Sequence, residues 1–459
     1  MDQGNQHILQ GKISSTTFKL AMPVIIGHLL LLCYNIADTL FISMIDREST
    51  ALISGVGLIF PVYFLFIAIS VGLFSGLGSV VSRAIGAKDK TVLESVASSG
   101  LALGLVIALS VLVLFYSFSR PLIEALAGSE MSRDAITYAH DYLLFIIPGF
   151  CLLVFNNVLL GILQGEGKPQ FYGIVMALTT VLNIALDPLF IFTLGMGVAG
   201  AALASTLSIL CATLLLVYVF VCQRSSLPIC WNVLRAKLQI IGQILAIAVP
   251  QMLALIILAG GFIALNKLVG SLSEQMMNAW VISGRVNELV LLIGYGIGQA
   301  SLTMTGQNYG AGQWQRLQQI MRTNLLNTLV LALCFVLLLN LAALILLPLF
   351  SAVSEVIVAA QYQIRFLSLA GAAVCIEIVC GNIFQGIGRP FPGLILIFVR
   401  MALIVVPLSY WLIQSLGYGM EALLWVSLLS NLASASAATL WCRHTLRRLP
   451  MLSATPRTA

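Results

Sequence analysis

The chain has 459 residues, of which 60% are hydrophobic and 9% charged, with a formal net charge of +6. A soluble globular domain carries about 25% charged residues, so composition excludes one. The surplus of positive charge is a matter of loops between apolar runs and gives no sign of a nucleic-acid-binding face.

Residues 49–82, 95–119, 142–165, 238–266, 289–315, 323–354 and 422–442 contain no Asp, Glu, Lys or Arg. A helix needs about 20 apolar residues to cross a bilayer, whereas strands of a membrane barrel need about 9–11 and alternate in polarity. The runs therefore read as helices of an all-α polytopic membrane protein. The polar N-terminus, "MDQGNQHILQGKISSTTFK", leads into a full-length span and carries no short apolar core with a cleavage site, so no cleavable signal is expected. Twelve spans are predicted, at 15–44, 50–82, 92–118, 134–163, 169–193, 198–223, 238–267, 275–306, 317–347, 355–385, 390–414 and 419–442.

In the first span, Pro23 predicts a bend. Tyr34, Asn35 and Asp38 follow at i, i+1 and i+4, roughly on one face. The fourth span carries Asn156 and Asn157. The fifth holds Asp187, the only charge between Pro169 and Gln223, with Asn183 one turn before it. Pro188 follows at once; it lacks an N–H and deprives the Ile184 carbonyl of its helical partner. The sixth span offers Ser205 and Thr206. In the eighth, Arg285 and Glu288 at i, i+3 are placed to neutralise each other. "GYGIGQ" at 294–299 lies inside that span with no strand before it, so its glycines read as close packing and not as a phosphate loop. Glu377 in the tenth span either pairs with Arg400 in the eleventh or faces a cleft. The nine cysteines are scattered and form no metal-like spacing, and His28 stands alone as a packing residue.

Alternate loops and tails hold 16 of the 23 basic residues: Lys12, Lys19, Arg83, Lys88, Lys90, Lys168, Arg224, Arg235, Lys237, Arg316, Arg322, Arg389, Arg443, Arg447, Arg448 and Arg457. The opposite set holds Arg47, Arg120, Arg133 and Lys267. The positive side is cytoplasmic, which puts both termini there; the expected location is an inner (cytoplasmic) membrane.

The chain is also written twice. "QGEGKP" at 164–169 recurs as "QGIGRP" at 385–390, "AIGAKD" at 84–89 as "NYGAGQ" at 308–313, "LGMGVAGA" at 194–201 as "LGYGMEAL" at 416–423, and "LAMP" at 20–23 as "IAVP" at 247–250. The four pairs keep one order and nearly one offset. The repeat divides the chain into an N-terminal six-helix lobe (1–223), a cytoplasmic loop (224–237) and a C-terminal six-helix lobe with a basic tail (238–459). Six is even, so the copies enter the membrane in the same direction, an arrangement that secondary transporters use with substrate between the halves. There is no GxxxxGK[ST] motif and no nucleotide-binding domain, so uphill transport would draw on an ion gradient.

An acid inside a span costs roughly 2.5–3.5 kcal/mol on insertion scales and marks a functional position. Asp38, Asn183, Asp187 and Ser205 supply oxygen donors that suit a hard cation such as Na⁺, and two acids in one low-dielectric cavity equally suit a proton. The second copy has Leu265 where Asp38 would fall and Val406 where Asp187 would fall, but keeps the proline. The proline thus belongs to the fold and the aspartate to the ion chemistry.

The ordered set "LQGEGKPQ", "LNIALDPLF", "GVAGAALAST" and "GQNYGAGQ" resembles the multidrug and toxic compound extrusion (MATE) family over nearly the whole chain. The acid in the fifth span, with none in the seventh, resembles the branch related to bacterial DNA-damage-inducible F proteins. The resemblance implies two six-helix lobes and an antiporter, not an enzyme, that expels cationic amphipathic compounds in exchange for H⁺ or Na⁺, without a cofactor and as a monomer in the lipid bilayer. It implies a cation site at Asp38, Asn183, Asp187 and Ser205, with Tyr34, Asn156 and Asn157 near the drug cavity and Asn35 beside Tyr34. The hinge prolines Pro23 and Pro188, and the second-lobe polar groups Arg285, Glu288, Glu377 and Arg400, complete the candidate residues. A lipid-linked saccharide flippase of the same superfamily and a non-transporting scaffold or membrane-embedded enzyme are the alternatives. The first requires a cationic cleft, and the last lacks a Ser/His pair, an HExxH motif or a metal cluster within the spans.

Overall fold

The computed structural model describes residues 6–45, 50–127, 131–225, 227, 232–350 and 353–454. Arg47, Arg457 and residues 226 and 228–231 of the inter-lobe loop lie outside them. Among the described residues, twelve helices are long and apolar enough to cross a membrane. They are α1 (Ile13–Ser43), α2 (Thr50–Ala87), α3 (Lys90–Leu126), α4 (Arg133–Glu166), α5 (Gln170–Thr193), α6 (Gly197–Val221), α7 (Leu238–Gly270), α8 (Glu274–Gly310), α9 (Trp314–Phe350), α10 (Ser354–Gly386), α11 (Phe391–Ser415) and α12 (Met420–Ala454). A short helix, Gln6–Gln10, precedes α1.

Several start or stop for local reasons. Side-chain oxygens of Asp89, Ser132 and Ser273 accept from Val92, Ala135 and Met276 backbone N–H groups, capping α3, α4 and α8. Gly167 ends α4 with φ +82°, and Gly388, its counterpart in the repeated motif, has φ +77° after α10. Both motif copies keep glycine because the left-handed region strains other residues. Two spans overrun their predicted limits by more than five residues. α12 continues through Arg443, Arg447 and Arg448, since charges end a membrane span without ending a helix. α3 extends past its predicted end across a break at Phe118 (φ −122°, ψ 17°), three residues before Pro121.

Pro23 lies inside a continuous α1. In α5 and α11 the prolines adjoin π-helical turns: Leu189–Thr193 follows Pro188, and Val399–Val405 and Trp411–Ser415 flank the segment containing Pro407. A missing N–H displaces the backbone ladder, and wide turns of this kind recur at functional sites.

The chain forms two compact units. The first comprises Ile26–Val81 and Asp89–Val249. Its core is built around Phe66, which stacks on Phe150 at 4.2 Å and meets Phe115 at 5.2 Å, among Leu143, Ile146 and Ile147. The second comprises the described residues through Ile25, Ser82–Lys88 and the chain from Pro250 onward. Its core joins Leu20, Ile297, Met304, Phe384 and Cys442.

Polar bonds tie the beginning of the chain into the second unit. Thr17 Oγ1 donates to Asn324 Oδ1 at 2.7 Å, Asn324 Nδ2 to Ser301 Oγ at 2.8 Å, and Arg316 to the Gly11 carbonyl at 2.6 Å. The same unit brings the two copies of a repeated motif together. A Cβ on Gly86 would lie 1.9 Å from the Gln307 carbonyl oxygen, and one on Gly310 would lie 2.1 Å from that of Arg83.

Candidate functional site

The first unit gathers polar side chains from α1, α5 and α6. Asn183 and Asp187 lie one turn apart on α5, so the Asn183 amide reaches forward to Asp187 Oδ1 at 3.1 Å. The same Nδ2 donates to Ser205 Oγ on α6 at 3.3 Å. Ser205 Oγ meets the Tyr34 hydroxyl of α1 at 2.8 Å. Asn183, Asp187 and Ser205 are buried, at 0%, 0% and 1% exposure. One chain of contacts therefore runs Asp187–Asn183–Ser205–Tyr34.

Asp38, one turn beyond Tyr34, is not hydrogen-bonded into that chain. It lies within electrostatic reach of Asp187, Tyr34, Tyr63 and Tyr142. Among the described residues Asp38 Oδ1, Asp187 Oδ2 and Asn183 Oδ1 are buried acceptors without a hydrogen-bond partner. Unpaired buried acceptors are costly. Oxygen atoms of this kind, on two carboxylates and an amide, fit a proton or a hard cation.

The other first-unit expectations divide. Asn156 is buried and its Nδ2 reaches the Ile209 carbonyl at 3.4 Å, leaving Oδ1 unpartnered. Asn157 turns back on its own helix to the Leu153 carbonyl at 3.0 Å. Asn35 is exposed. Pro188 ends the α-helical part of α5 beside Asp187. Thr180 of α5 binds the Leu30 carbonyl of α1 at 3.2 Å, and Thr206 of α6 binds the Phe145 carbonyl of α4 at 2.8 Å. These bonds hold the helices that carry the site. His28 stacks on Tyr172 with ring centroids 5.2 Å apart.

In the second unit the open choice for Glu377 resolves to a pair. Arg400 Nε lies 3.0 Å from Glu377 Oε2, which also accepts from Ser434 at 2.8 Å, while Arg400 Nη1 donates to Asn431 Oδ1 at 2.8 Å. Glu377 and Arg400 are 5% and 6% exposed. At the offset of the "QGEGKP"/"QGIGRP" pair, Glu377 is the counterpart of Asn156. Arg285 and Glu288 approach at 3.4 Å with side chains 67% and 42% exposed.

Two groups of residues went unread in the sequence. Tyr63 and Tyr142, near Asp38, are tyrosines in apolar runs with no mark to set them apart. Glu166 Oε2 pairs with Lys168 at 2.9 Å, its Oε1 accepts from Ser225, and Lys168 donates to the Arg224 carbonyl at 2.7 Å. This cluster ties the end of α4 to the segment after α6. Its signal was the repeat itself, because the second copy replaces Glu166 with Ile387.

Known proteins share this architecture. The MatE family model matches residues 23–189 and 250–411. A FAD transporter of Shewanella oneidensis is 26% identical over 407 residues, 88% of each chain. The multidrug export protein MepA of Staphylococcus haemolyticus is 24% identical over 94% of this chain and 93% of its own. A solved structure described as the outward-facing conformation of a multidrug resistance MATE family transporter of the MOP superfamily superposes with a TM-score of 0.91 at 26% identity, covering 98% of this chain and 99% of that one.

Proposed function

This chain belongs to the MatE family, and from that premise we propose that it is a secondary antiporter exporting cationic amphipathic organic compounds in exchange for H⁺ or Na⁺. It is a transporter with a multi-pass membrane fold. The observation that carries it is the set of unpartnered buried acceptors, Asp38 Oδ1, Asp187 Oδ2 and Asn183 Oδ1, on helices of one unit. Two acids inside a membrane are retained at a cost, and neither is ion-paired with a basic side chain in the salt bridges of the described residues.

In this reading Asp38 and Asp187 hold the incoming cation and Asn183 orients Asp187 through Nδ2. Ser205 links that amide to Tyr34 on the helix that carries Asp38. A cationic substrate is attracted by the same carboxylates, so ion and substrate exclude each other, which is the condition for exchange. Binding energy can shift a conformational equilibrium only by its difference between the two states, and neutralising the acids supplies such a difference during alternating access. The chain works as a monomer with both termini in the cytoplasm.

The similarity to MepA, named a multidrug export protein, supports organic compounds as cargo. The similarity to a FAD transporter favours a second reading, in which the cargo is a flavin dinucleotide. A saccharide flippase fits less well, since the unpaired charges of the first unit are acidic.

Ethidium efflux from vesicles under an imposed pH or Na⁺ gradient tests the proposal. Asp38→Asn and Asp187→Asn should each abolish gradient-driven efflux. Normal pumping by both variants would remove the coupling site.

A further inference from the structure

The first unit has an apolar groove that the Asp38–Asp187 site does not use. It lies between α3, α4 and α6 and encloses about 240 Å³. Leu105 of α3, Phe155 and Leu159 of α4, and Thr213 and Val217 of α6 line it, together with Val233 of the segment before α7. The Thr213 hydroxyl donates back to the Ile209 carbonyl at 2.8 Å, so it is already engaged. Val106 and Leu109 of α3 and Leu214 and Tyr218 of α6, close in sequence to these lining residues, are exposed. Large exposed apolar surface of this kind marks contact with a membrane.

At about 1.5 Å per residue, Val217 and Leu159 stand about 6 and 10 Å from the ends of α6 and α4, and Thr213 and Phe155 about 12 and 16 Å. The headgroup layer of a bilayer is roughly 6 Å deep on each side, so the groove begins at the depth of the acyl chains. The segment leading to α7 lies at its mouth. The short helical turn Val233–Arg235 packs on α3, where the Lys237 N–H donates to Ser99 Oγ at 3.0 Å. Between Gln223 and Leu238 the chain has Arg224, Arg235 and Lys237 and no acid. All three are exposed, and Glu166 at the end of α4 is buried against Lys168. Leu234 and Leu238 are 89% and 85% exposed. Basic residues interleaved with exposed leucines fit a segment lying in the membrane interface.

We propose that this groove holds one acyl chain of an anionic phospholipid, with the lipid phosphate on Arg235 and Lys237. The apolar walls fit a hydrocarbon chain, and the basic mouth fits the negative group at the end of that chain. The same mouth repels the cationic compounds proposed as cargo, so the groove is not a second cargo site. A zwitterionic phospholipid fills the walls equally but gains less at the mouth, because its own cationic group opposes the basic residues. Val233, on the groove, and Lys237, on Ser99, belong to one segment. A bound lipid therefore fastens the chain that leads into α7 to the helices of the first unit. The lipid site stands independently of the coupling ion and of the cargo.

Native mass spectrometry of the full-length, delipidated protein in detergent reads the occupancy of the first bound lipid. The probes are dioleoylphosphatidylglycerol, which is anionic, and dioleoylphosphatidylcholine, which has the same chains and no net charge. The unmodified protein should bind the anionic lipid about ten-fold more tightly, the order of effect of two basic groups at an anionic headgroup. Arg235→Gln/Lys237→Gln should bring the two affinities together by weakening only the anionic lipid. Arg443→Gln/Arg447→Gln, which removes two exposed charges from α12, should keep the preference. Val217→Trp fills the groove and should weaken both lipids; Leu105→Trp, from another wall, repeats the test should the first variant fold poorly. Equal loss of preference in the α12 variant would reduce the effect to general surface charge and overturn the site. Unchanged binding in both tryptophan variants would show the groove unused and overturn it as well. Weakened binding in those variants, with the preference intact in Arg235→Gln/Lys237→Gln, would remove the headgroup from Arg235 and Lys237 and overturn the assignment to an anionic lipid.

Discussion

Asn183 donates to Asp187 Oδ1 at 3.1 Å from a nitrogen that also contacts Ser205, while Asp187 Oδ2 has no partner. The amide thus fixes the carboxylate on one side and leaves the other side free for an ion. Replacing it with leucine, similar in volume but unable to donate, removes both contacts. A hydrogen bond to a charged group contributes about 1.5–3 kcal/mol. The bond favours the ionised carboxylate, so without it the concentration of a coupling proton giving half-maximal export should fall about ten-fold or more in Asn183→Leu. Titration of efflux against external pH reads this directly, and an unshifted midpoint would separate Asn183 from ion binding.

Pro23 makes a second prediction. It sits inside α1, three residues before Ile26, where the chain leaves the second unit's residues and joins the first. Proline lacks the N–H that would bind the Lys19 carbonyl, so the helix is weakest at this turn. Polar contacts at Thr17 hold the part before it, and Tyr34 and Asp38 follow it. Pro23→Ala restores the missing bond and should impair export while leaving the amount of protein in the membrane unchanged. Full export by this variant would show that α1 does not flex there.

The spans were readable because bilayer thickness acts on one dimension, the length of an apolar run. The Asn183–Asp187 pair was readable because i,i+4 spacing fixes adjacency on a helix, whereas Ser205 was set apart from its neighbour Thr206 only by the resemblance to the MATE family. Tyr63 and Tyr142 were not, since their approach to Asp38 depends on how helices distant in sequence pack. The partner of Glu377 stayed open for the same reason: Arg400 lies in another span, and only the tertiary structure brings them to 3.0 Å. Sequence also could not separate a buried pair from the accessible one at Arg285 and Glu288, which differ in surroundings and not in residue type.

Gly86 tests the packing of the repeated motif. A Cβ there would lie 1.9 Å from the Gln307 carbonyl oxygen, whereas one on Gly57, in the same helix, meets nothing within 4 Å. Overpacking costs typically about 1–3 kcal/mol and more against rigid backbone, while alanine is the better helix former by about 1 kcal/mol. Gly86→Ala should lower the unfolding temperature in detergent, and Gly57→Ala should hold or raise it. Equal temperatures for the two variants would contradict the close approach of α2 and α8.

The Glu377–Arg400 pair yields the last prediction. Removing one partner of a buried ion pair leaves an uncompensated charge and costs about 3–5 kcal/mol, whereas replacing both with apolar groups is often neutral or stabilising. In Arg400→Leu the Glu377 carboxylate retains only its bond from Ser434, and in Glu377→Leu the guanidinium retains Asn431. Each single variant should unfold at a lower temperature than the unmodified protein. The double variant Glu377→Leu/Arg400→Leu should regain most of the loss, and it should still export ethidium, because the acids assigned to coupling lie in the other unit. A double variant as unstable as the worse single one would mean that Ser434 and Asn431, left without their partners, dominate the cost. A stable double variant that no longer exports would instead move this pair from packing into the transport cycle.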